Sequence, residues 1–85
     1  MELKEQFEAA VANSKNLAQK PANDVLLKLY SLYKQGTEGD VSAEAPSNPF
    51  DFVARAKYAA WEELKGVTRE DAMQQYIDLV TSLKG

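Results

Sequence analysis

The sequence predicts an all-α protein whose four helices form a bundle. Apolar residues recur every three or four positions in four separate stretches, and no stretch alternates apolar and polar residues as a half-buried strand does. Proline or glycine stands between consecutive stretches, where the chain must turn. With 85 residues, the chain is expected to form a single domain over residues 1–85 with a modest core.

The first two predicted helices span residues 3–16 and residues 24–35. The apolar face of the first helix carries Leu3, Phe7, Ala10, Val11 and Leu17. The second helix is the most apolar of the four, so we place it at the centre of the bundle. Asn23 or Asp24 suits its N-cap, and Gly36 suits the position just after its end.

The third helix is predicted from Asn48 to residue 64, because asparagine followed by Pro49 is a strong helix start. Its predicted inward face carries Phe52, Ala56, Ala59, Ala60 and Leu64. Gly66 ends it, and Thr68 with an acid three residues later resembles the capping box of a fourth helix. That helix should bury Ala72, Met73, Tyr76, Ile77, Val80 and Leu83. The loop at 37–48 is long enough to cross the bundle, which permits the second and third helices to run parallel.

The composition excludes several kinds of site. The chain has no cysteine and no histidine, which rules out disulfides, Cys/His zinc sites and histidine-dependent triads, and we expect neither a metal nor a cofactor. A net charge of −3 with dispersed Lys and Arg argues against nucleic-acid binding. No apolar run is long enough to span a membrane. The charged N-terminus and the lack of cysteine predict a cytoplasmic protein.

One group of side chains suggests ligand chemistry. Tyr30, Tyr33 and Lys34 stand at i, i+3 and i+4, so a helix places them on one face. Two phenols and an ammonium suit an aromatic, phosphorylated ligand. Lys57 and Tyr58 repeat the combination one helix further on. Spacing alone also allows the tyrosines to be core aromatics and the lysines to be solvated charges.

Seven short motifs follow one another along the chain. They are Phe7 before an alanine-rich turn, Lys-Pro-Ala at 20–22, Leu-Tyr-Ser-Leu-Tyr-Lys-Gln at 29–35, Thr-Glu-Gly-Asp at 37–40, Ala-Lys-Tyr-Ala-Ala-Trp at 56–61, Leu-Lys-Gly at 64–66 and Ala-Met-Gln-Gln-Tyr-Ile at 72–77. In this order and spacing they resemble the acyl-CoA-binding protein family, also called diazepam-binding inhibitor in animals. The resemblance covers nearly the full length. It implies an up-down-down-up bundle that binds medium- to long-chain acyl-CoA thioesters one to one, without chemistry, as an intracellular carrier and buffer.

The resemblance also implies eight ligand-binding residues. They are Phe7, Val11, Lys15, Tyr30, Tyr33, Lys34, Lys57 and Tyr76. The two tyrosines of the central motif are expected to bracket the adenine end of the ligand and to contact phosphate. Lys34 is expected to pair with the ribose 3′-phosphate, and Lys57 with the nucleotide phosphates.

The remaining assignments follow the same family pattern. Tyr76 matches a position that contacts the adenosine part, and Lys15 matches a further basic position. Phe7 and Val11 match positions near the acyl chain. By spacing alone, Phe7, Val11 and Tyr76 are equally well explained as core residues, and Lys15 as a charge near a helix end.

Three positions depart from the family pattern. The family usually has tryptophan where Tyr58 stands and often has alanine where Val11 stands, and many relatives have lysine where Val53 stands. A narrower groove and one fewer charge near the head group follow from these changes. The preferred acyl-chain length is therefore left open.

Other functions were weighed against the carrier hypothesis. A helical protein-interaction module with a degenerate acyl-CoA site remains the alternative. An acyl carrier protein needs an Asp-Ser-Leu attachment site, which the chain lacks. An enzyme is not expected, because no carboxylate pair with a base stands out. We expect a monomer that contacts acyl-CoA-using enzymes transiently.

Overall fold

A computed structural model describes residues 2–17, 19–42 and 44–84 of the chain. It contains four helices, α1 (Leu3–Ser14), α2 (Asn23–Glu38), α3 (Phe52–Glu62) and α4 (Arg69–Lys84), and no strand within those ranges. The predicted all-α class is confirmed. None of the helices described has the length and apolar character needed to cross a membrane.

The core lies where α2 and α1 pack against α4. Its buried members are Phe7, Ala10, Leu29, Leu32, Ala72, Tyr76 and Val80. The predicted apolar faces of α1 and α4 are confirmed, because both supply this core. The central position of α2 is also confirmed, since it contacts α4 on one side and α3 on another.

The predicted end of α2 was wrong. The helix runs through Gly36 to Glu38, and Gly39, with a φ of 81°, ends it. Gly36 serves a different purpose, because it is buried where α2 approaches α4. A Cβ at this position would lie 3.2 Å from Cγ of Met73. Gly36 therefore lies inside α2 and permits the close approach of α2 and α4, whereas the prediction gave it a left-handed turn after the helix.

The predicted start of α3 was also wrong. Asn48 begins a turn, in which its Oδ1 accepts a hydrogen bond from the Phe50 amide at 2.9 Å. Asp51 is the N-cap of α3, and its Oδ1 accepts from the Ala54 amide at 3.1 Å. Both residues can cap a helix, and the aspartate closer to the apolar run does so.

The predicted inward face of α3 needs correction. Trp61 is the buried residue of this helix, with 4% of its surface exposed, whereas Phe52 is 72% exposed. Nine residues at 100° each place these two side chains about 180° apart on the helix. Ala59 lies close to the direction of Phe52 and is exposed as well. Ala56 and Ala60 lie between these two directions and are half-buried, and so is Leu64, which lies beyond the end of α3.

The remaining helix ends agree more closely with the sequence. Thr68 caps α4, because its Oγ1 accepts a hydrogen bond from the Asp71 amide at 3.1 Å, as predicted. The α1 helix ends at Ser14, two residues before the predicted end, and its last turn tightens where Lys15 and Asn16 donate to carbonyls three residues back. The N-cap of α2 is Ala22, with no side-chain cap, rather than Asn23 or Asp24.

Candidate ligand-binding site

Three aromatic rings from three helices meet at one end of the core. The Phe7 ring stacks on the Tyr33 ring with centroids 6.0 Å apart, and meets the Tyr76 ring edge-on at 5.2 Å. Phe7 and Tyr76 are buried, whereas Tyr33 is 40% exposed. Tyr33 therefore offers an accessible aromatic surface, and the buried Phe7 ring holds it in place.

A cavity of about 720 Å³ opens beside these rings, between α1, α2 and α4. It is lined by Leu3, Lys4, Phe7, Glu8, Val11, Tyr33, Gly36, Thr37, Arg69, Glu70 and Met73. Three of the predicted site residues, Phe7, Val11 and Tyr33, thus share one cavity. Its charged residues, two cations and two anions, were not among the sequence predictions.

The Tyr76 hydroxyl has a partner inside the protein. It donates to Oγ of Ser14 at 3.0 Å, and that hydroxyl donates to the Val11 carbonyl at 2.7 Å. The first bond ties α4 to the last turn of α1, and the second fixes the Ser14 side chain within α1. Tyr76 is thus a core residue whose polar end holds the wall beneath Val11, and Lys15 lies next to Ser14 in an exposed position.

Lys57 and Tyr30 form a pair across α3 and α2. The Lys57 ammonium lies 5.2 Å from the centroid of the Tyr30 ring. A cation at this distance from an aromatic face is attracted by the electrons of the ring. Lys57 is exposed, so its charge remains available to a ligand.

Lys34 makes a second contact between the same helices. Its ammonium lies 4.9 Å from the centroid of the Trp61 ring and forms an ion pair with the Glu38 carboxylate. The hydrogen bond that Lys34 donates to Glu38 raises the pKa of Lys34 above its ordinary value of 10.5, so the side chain is charged at neutral pH. Trp61 in turn donates from Nε1 to the Gly39 carbonyl at 2.9 Å. The C-terminal ends of α2 and α3 are therefore joined at this lysine.

A polar cluster that the sequence did not predict supports this region. Gln35 is fully buried, and its Nε2 donates to Oδ1 of Asp40 at 2.9 Å and to the Val67 carbonyl at 2.7 Å. The Gly66 amide also donates to Asp40, at 2.9 Å. The Gly66 bond, followed by the Gln35 bond, lowers the pKa of Asp40 below 3.8. The cluster holds the turn between α3 and α4 against the end of α2.

Sequence separation explains why this cluster was missed. Gln35 and Val67 are 32 residues apart, and Asp40 and Gly66 are 26 residues apart. No local pattern connects them. Gln35 and Asp40 both belong to motifs of the family pattern, and this was the one sign in the sequence that they matter. A motif does not say which of its members are buried.

A second groove, of about 520 Å³, runs between α2 and α3. It is lined by Asp24, Leu27, Lys28, Ser31, Ala56, Ala59, Ala60, Glu63, Leu64 and Gln75. Of the described residues that line it, five are aliphatic, five are polar or charged and none is aromatic, whereas the lining of the 720 Å³ cavity includes two aromatic rings. The molecule thus presents grooves of different chemistry on the two sides of α2.

The predicted Tyr30, Tyr33 and Lys34 face of α2 therefore lies between α1 and α3. Tyr33 meets α1 through Phe7, while Tyr30 and Lys34 meet α3. Both tyrosines are close enough to Lys34 to raise its pKa slightly. This face carries aromatic rings and a cation, and a groove of mixed apolar and polar lining borders it on each side. Within the described ranges, no group of three or more acidic side chains is placed to hold a metal ion.

Comparison with known proteins points to one family. The family model described as acyl CoA binding protein matches residues 4–80. Acyl-CoA-binding protein homolog 1 of Caenorhabditis elegans is 47% identical over 77 residues, which cover 91% of this chain and 88% of that protein. The acyl-CoA-binding protein of Dictyostelium discoideum is also 47% identical over 77 residues, covering 91% of this chain and 90% of its own.

The fold agrees with a solved member. The crystal structure of acyl-CoA-binding protein 2 of Oryza sativa superposes with a TM-score of 0.90 at 38% identity. The match covers 96% of this chain and 90% of that one. The predicted four-helix fold is therefore confirmed.

Proposed function

This chain belongs to the acyl-CoA-binding protein family, and we propose that it binds medium- to long-chain acyl-CoA thioesters non-covalently, one to one, as a carrier and buffer. The observation that carries the proposal is the face of α2 with Tyr30, Tyr33 and Lys34, where a second cation, Lys57 of α3, lies over the Tyr30 ring. Few structural helix faces require two phenols and two ammonium groups together.

The nucleotide end of the ligand suits this face. Lys34 lies against the Trp61 ring and Lys57 against the Tyr30 ring, so the two cations can contact different phosphates of one ligand. Charge-assisted contacts to phosphate are among the stronger hydrogen bonds in proteins. The half-exposed ring of Tyr33 offers a stacking surface for the base. We assign the 3′-phosphate to Lys34 and the other phosphates to Lys57.

The acyl tail has two candidate grooves. The family pattern puts Phe7 and Val11 near the tail, which favours the 720 Å³ cavity. The leucine and alanine side chains of the α2–α3 groove favour that groove instead, since a planar base suits aromatic walls and an alkyl chain does not need them. Burying each methylene contributes about 0.8 kcal/mol in either place.

Two substitutions separate these placements. Val11→Ala widens the cavity and Ala60→Val narrows the α2–α3 groove. If the tail lies in the cavity, Val11→Ala shifts the affinity optimum towards longer chains and Ala60→Val leaves it unchanged. If the tail lies in the groove, Ala60→Val shifts the optimum towards shorter chains. Titration of each variant with eight- to eighteen-carbon acyl-CoA thioesters distinguishes the two results.

The remaining parts of the proposal concern the setting of the protein. We place it in the cytoplasm, where a cysteine-free chain is typical, as a monomer that contacts acyl-CoA-using enzymes transiently. We assign it no catalytic activity, and the absence of histidine and cysteine from the sequence supports this. We assign it no cofactor and no nucleic-acid partner, in keeping with its net charge of −3.

A specific observation favours the interaction-module alternative. Phe50, Phe52 and Val53, before and within the first turn of α3, are 80%, 72% and 65% exposed. An apolar cluster of this kind on a surface commonly marks a contact with another molecule. The two functions differ in one respect, because only the carrier should gain a large increase in melting temperature from acyl-CoA.

Calorimetric titration with palmitoyl-CoA tests the proposal, with free CoA and palmitate as controls. We expect tight one-to-one binding of the thioester and much weaker binding of either fragment. That result would show that the head and the tail are both recognised. Absence of thioester binding would overturn the carrier function and leave the interaction module as the better hypothesis.

A further inference from the structure

We propose that Glu38 is an internal competitor for the ligand phosphate, and that it sets the affinity of the site for 3′-phosphorylated ligands. In the free protein the Glu38 carboxylate forms an ion pair with the Lys34 ammonium, and a ligand phosphate must displace that carboxylate. This inference rests on the proposed function, because it assigns a regulatory residue to the same site.

The geometry places two groups, a carboxylate and an aromatic ring, beside one cation. The Lys34 ammonium contacts the Glu38 carboxylate and lies 4.9 Å from the centroid of the Trp61 ring. The lysine side chain is 24% exposed and that of the glutamate 48% exposed. The ring and the carboxylate both lie against the ammonium, and Glu38 is the more exposed side chain of the ion pair. A phosphate that reaches Lys34 from solvent therefore meets Glu38 there.

Glu38 is not placed where local helix stability would put an acid. It is the last residue of α2, and a negative charge at a helix C-terminus opposes the helix dipole. Lysine four residues before glutamate is also the weaker order for such a pair. A residue that breaks two local preferences is a candidate for a role other than stability.

The backbone at Glu38 is nevertheless held firmly. Nη2 of Arg69 donates to the Glu38 carbonyl at 3.3 Å. The next amide, that of Gly39, donates to the Gln35 carbonyl at 3.0 Å. The carboxylate can thus turn away from Lys34 while its main chain stays in place. Displacement needs a side-chain rotation and no unwinding of α2.

The exchange of one anion for another should favour the ligand. An exposed Lys–Glu pair contributes little to stability, so breaking it costs little. A phosphate monoester carries between one and two negative charges at neutral pH and presents three acceptor oxygens. The displaced Glu38 carboxylate stays near the bound phosphate and repels it. This repulsion weakens ligand binding by the unaltered protein.

Glu38→Gln tests the inference, because it removes the charge and keeps the shape. Two ligands are used, palmitoyl-CoA and palmitoyl-dephospho-CoA, which lacks the 3′-phosphate. We expect the variant to bind palmitoyl-CoA about three- to tenfold more tightly than the unaltered protein does. Its affinity for the dephosphorylated ligand should change by less than about twofold.

Glu5→Gln is the matched control, since Glu5 is exposed on α1 and lines neither ligand groove. It should leave both affinities unchanged, and thermal melts should show that both variants fold. Unchanged or weaker binding of palmitoyl-CoA by Glu38→Gln would overturn the inference. Equal tightening for both ligands would also overturn it, because the effect would then be one of net charge. If the unaltered protein binds neither thioester, the proposed function fails, and this inference fails with it.

Discussion

The bundle has two regions that are held together in different ways. The three helices α1, α2 and α4 share an apolar core, whereas α3 contacts only α2 among the described helices. In α3 a single residue, Trp61, is buried. The contacts that fix α3 are largely polar or aromatic, and they involve Lys34, Lys57 and Trp61.

This difference connects stability with function. The residues that join α3 to α2 are largely those to which we assign the nucleotide. A ligand on this face therefore bridges the two regions, and it should stabilise the weaker one. Segments with few buried apolar contacts open more easily than a core does. The face that we propose for ligand binding and the joint between the regions are thus one surface.

Truncation of a core residue should produce the largest loss of stability. Leu32 is fully buried on α2, so Leu32→Ala should lower the free energy of unfolding by about 2–5 kcal/mol, through lost burial and a cavity. Urea denaturation measures this. Val53→Ala, at an exposed position on α3, is the matched control and should change stability by less than about 0.5 kcal/mol. Equal losses would show that α3 is part of one uniform core.

Removal of Lys34 should affect binding and leave the core intact. Lys34→Ala should weaken palmitoyl-CoA binding by about 1.5–3 kcal/mol, the range for a hydrogen bond to a charged group. Calorimetric titration measures the loss. Lys84→Ala at the end of α4 is the control, because it has the same net charge as Lys34→Ala. A loss of less than a few tenths of a kcal/mol would remove the phosphate role that we assign to Lys34.

Substitution of the joint itself should have a smaller effect. Trp61→Phe keeps a ring but removes the hydrogen bond to the Gly39 carbonyl, so unfolding should become easier by about 1 kcal/mol. Tyr58→Phe on the same helix is the control, because its hydroxyl makes no hydrogen bond within the described residues. If both variants unfold alike in urea, the Trp61 bond does not hold α3.

The Asp40 cluster should give a small dependence of stability on pH. Hydrogen bonds from Gly66 and Gln35 lower the pKa of Asp40 in the folded protein below 3.8. The unfolded state then takes up the proton first, so the contribution is present above the ordinary pKa and is lost as pH falls through the folded value. Asp40→Asn should be less stable at pH 7, and the difference should shrink below about pH 4.

Urea midpoints at pH 7, 5, 4 and 3 test this, with Asp78→Asn as control. The Asp78 carboxylate is exposed on α4 and accepts a hydrogen bond from Gln74. A difference between Asp40→Asn and the unaltered protein that grows towards low pH would contradict the assigned direction of the pKa.

The sequence was a good guide wherever the structure follows from local periodicity. The apolar faces of α1 and α4 and the cap at Thr68 were predicted because 3.6-residue spacing and capping chemistry are local properties. Gly36 was misjudged because glycine serves both a turn and a close helix contact, and only the position of Met73 decides between them.

The site was predicted in part, for a related reason. A single helix face determines that Tyr30, Tyr33 and Lys34 lie together. It does not determine that Tyr33 turns towards α1 while the other two meet α3. The Gln35–Asp40 cluster and the Glu38 ion pair depend on the angle between elements and on one rotamer, neither of which a pattern of residue types encodes.

Amide hydrogen exchange, with and without palmitoyl-CoA, tests most directly that the ligand site is the joint between the regions. In the free protein we expect the α3 amides to exchange faster than the core amides of α2 and α4. With free ligand at 100 times Kd, α3 and core amides should both slow by about 100-fold, because each opening destroys the site. If the core amides slow while α3 exchanges at its free rate, α3 opens without disturbing the ligand, and the account is contradicted.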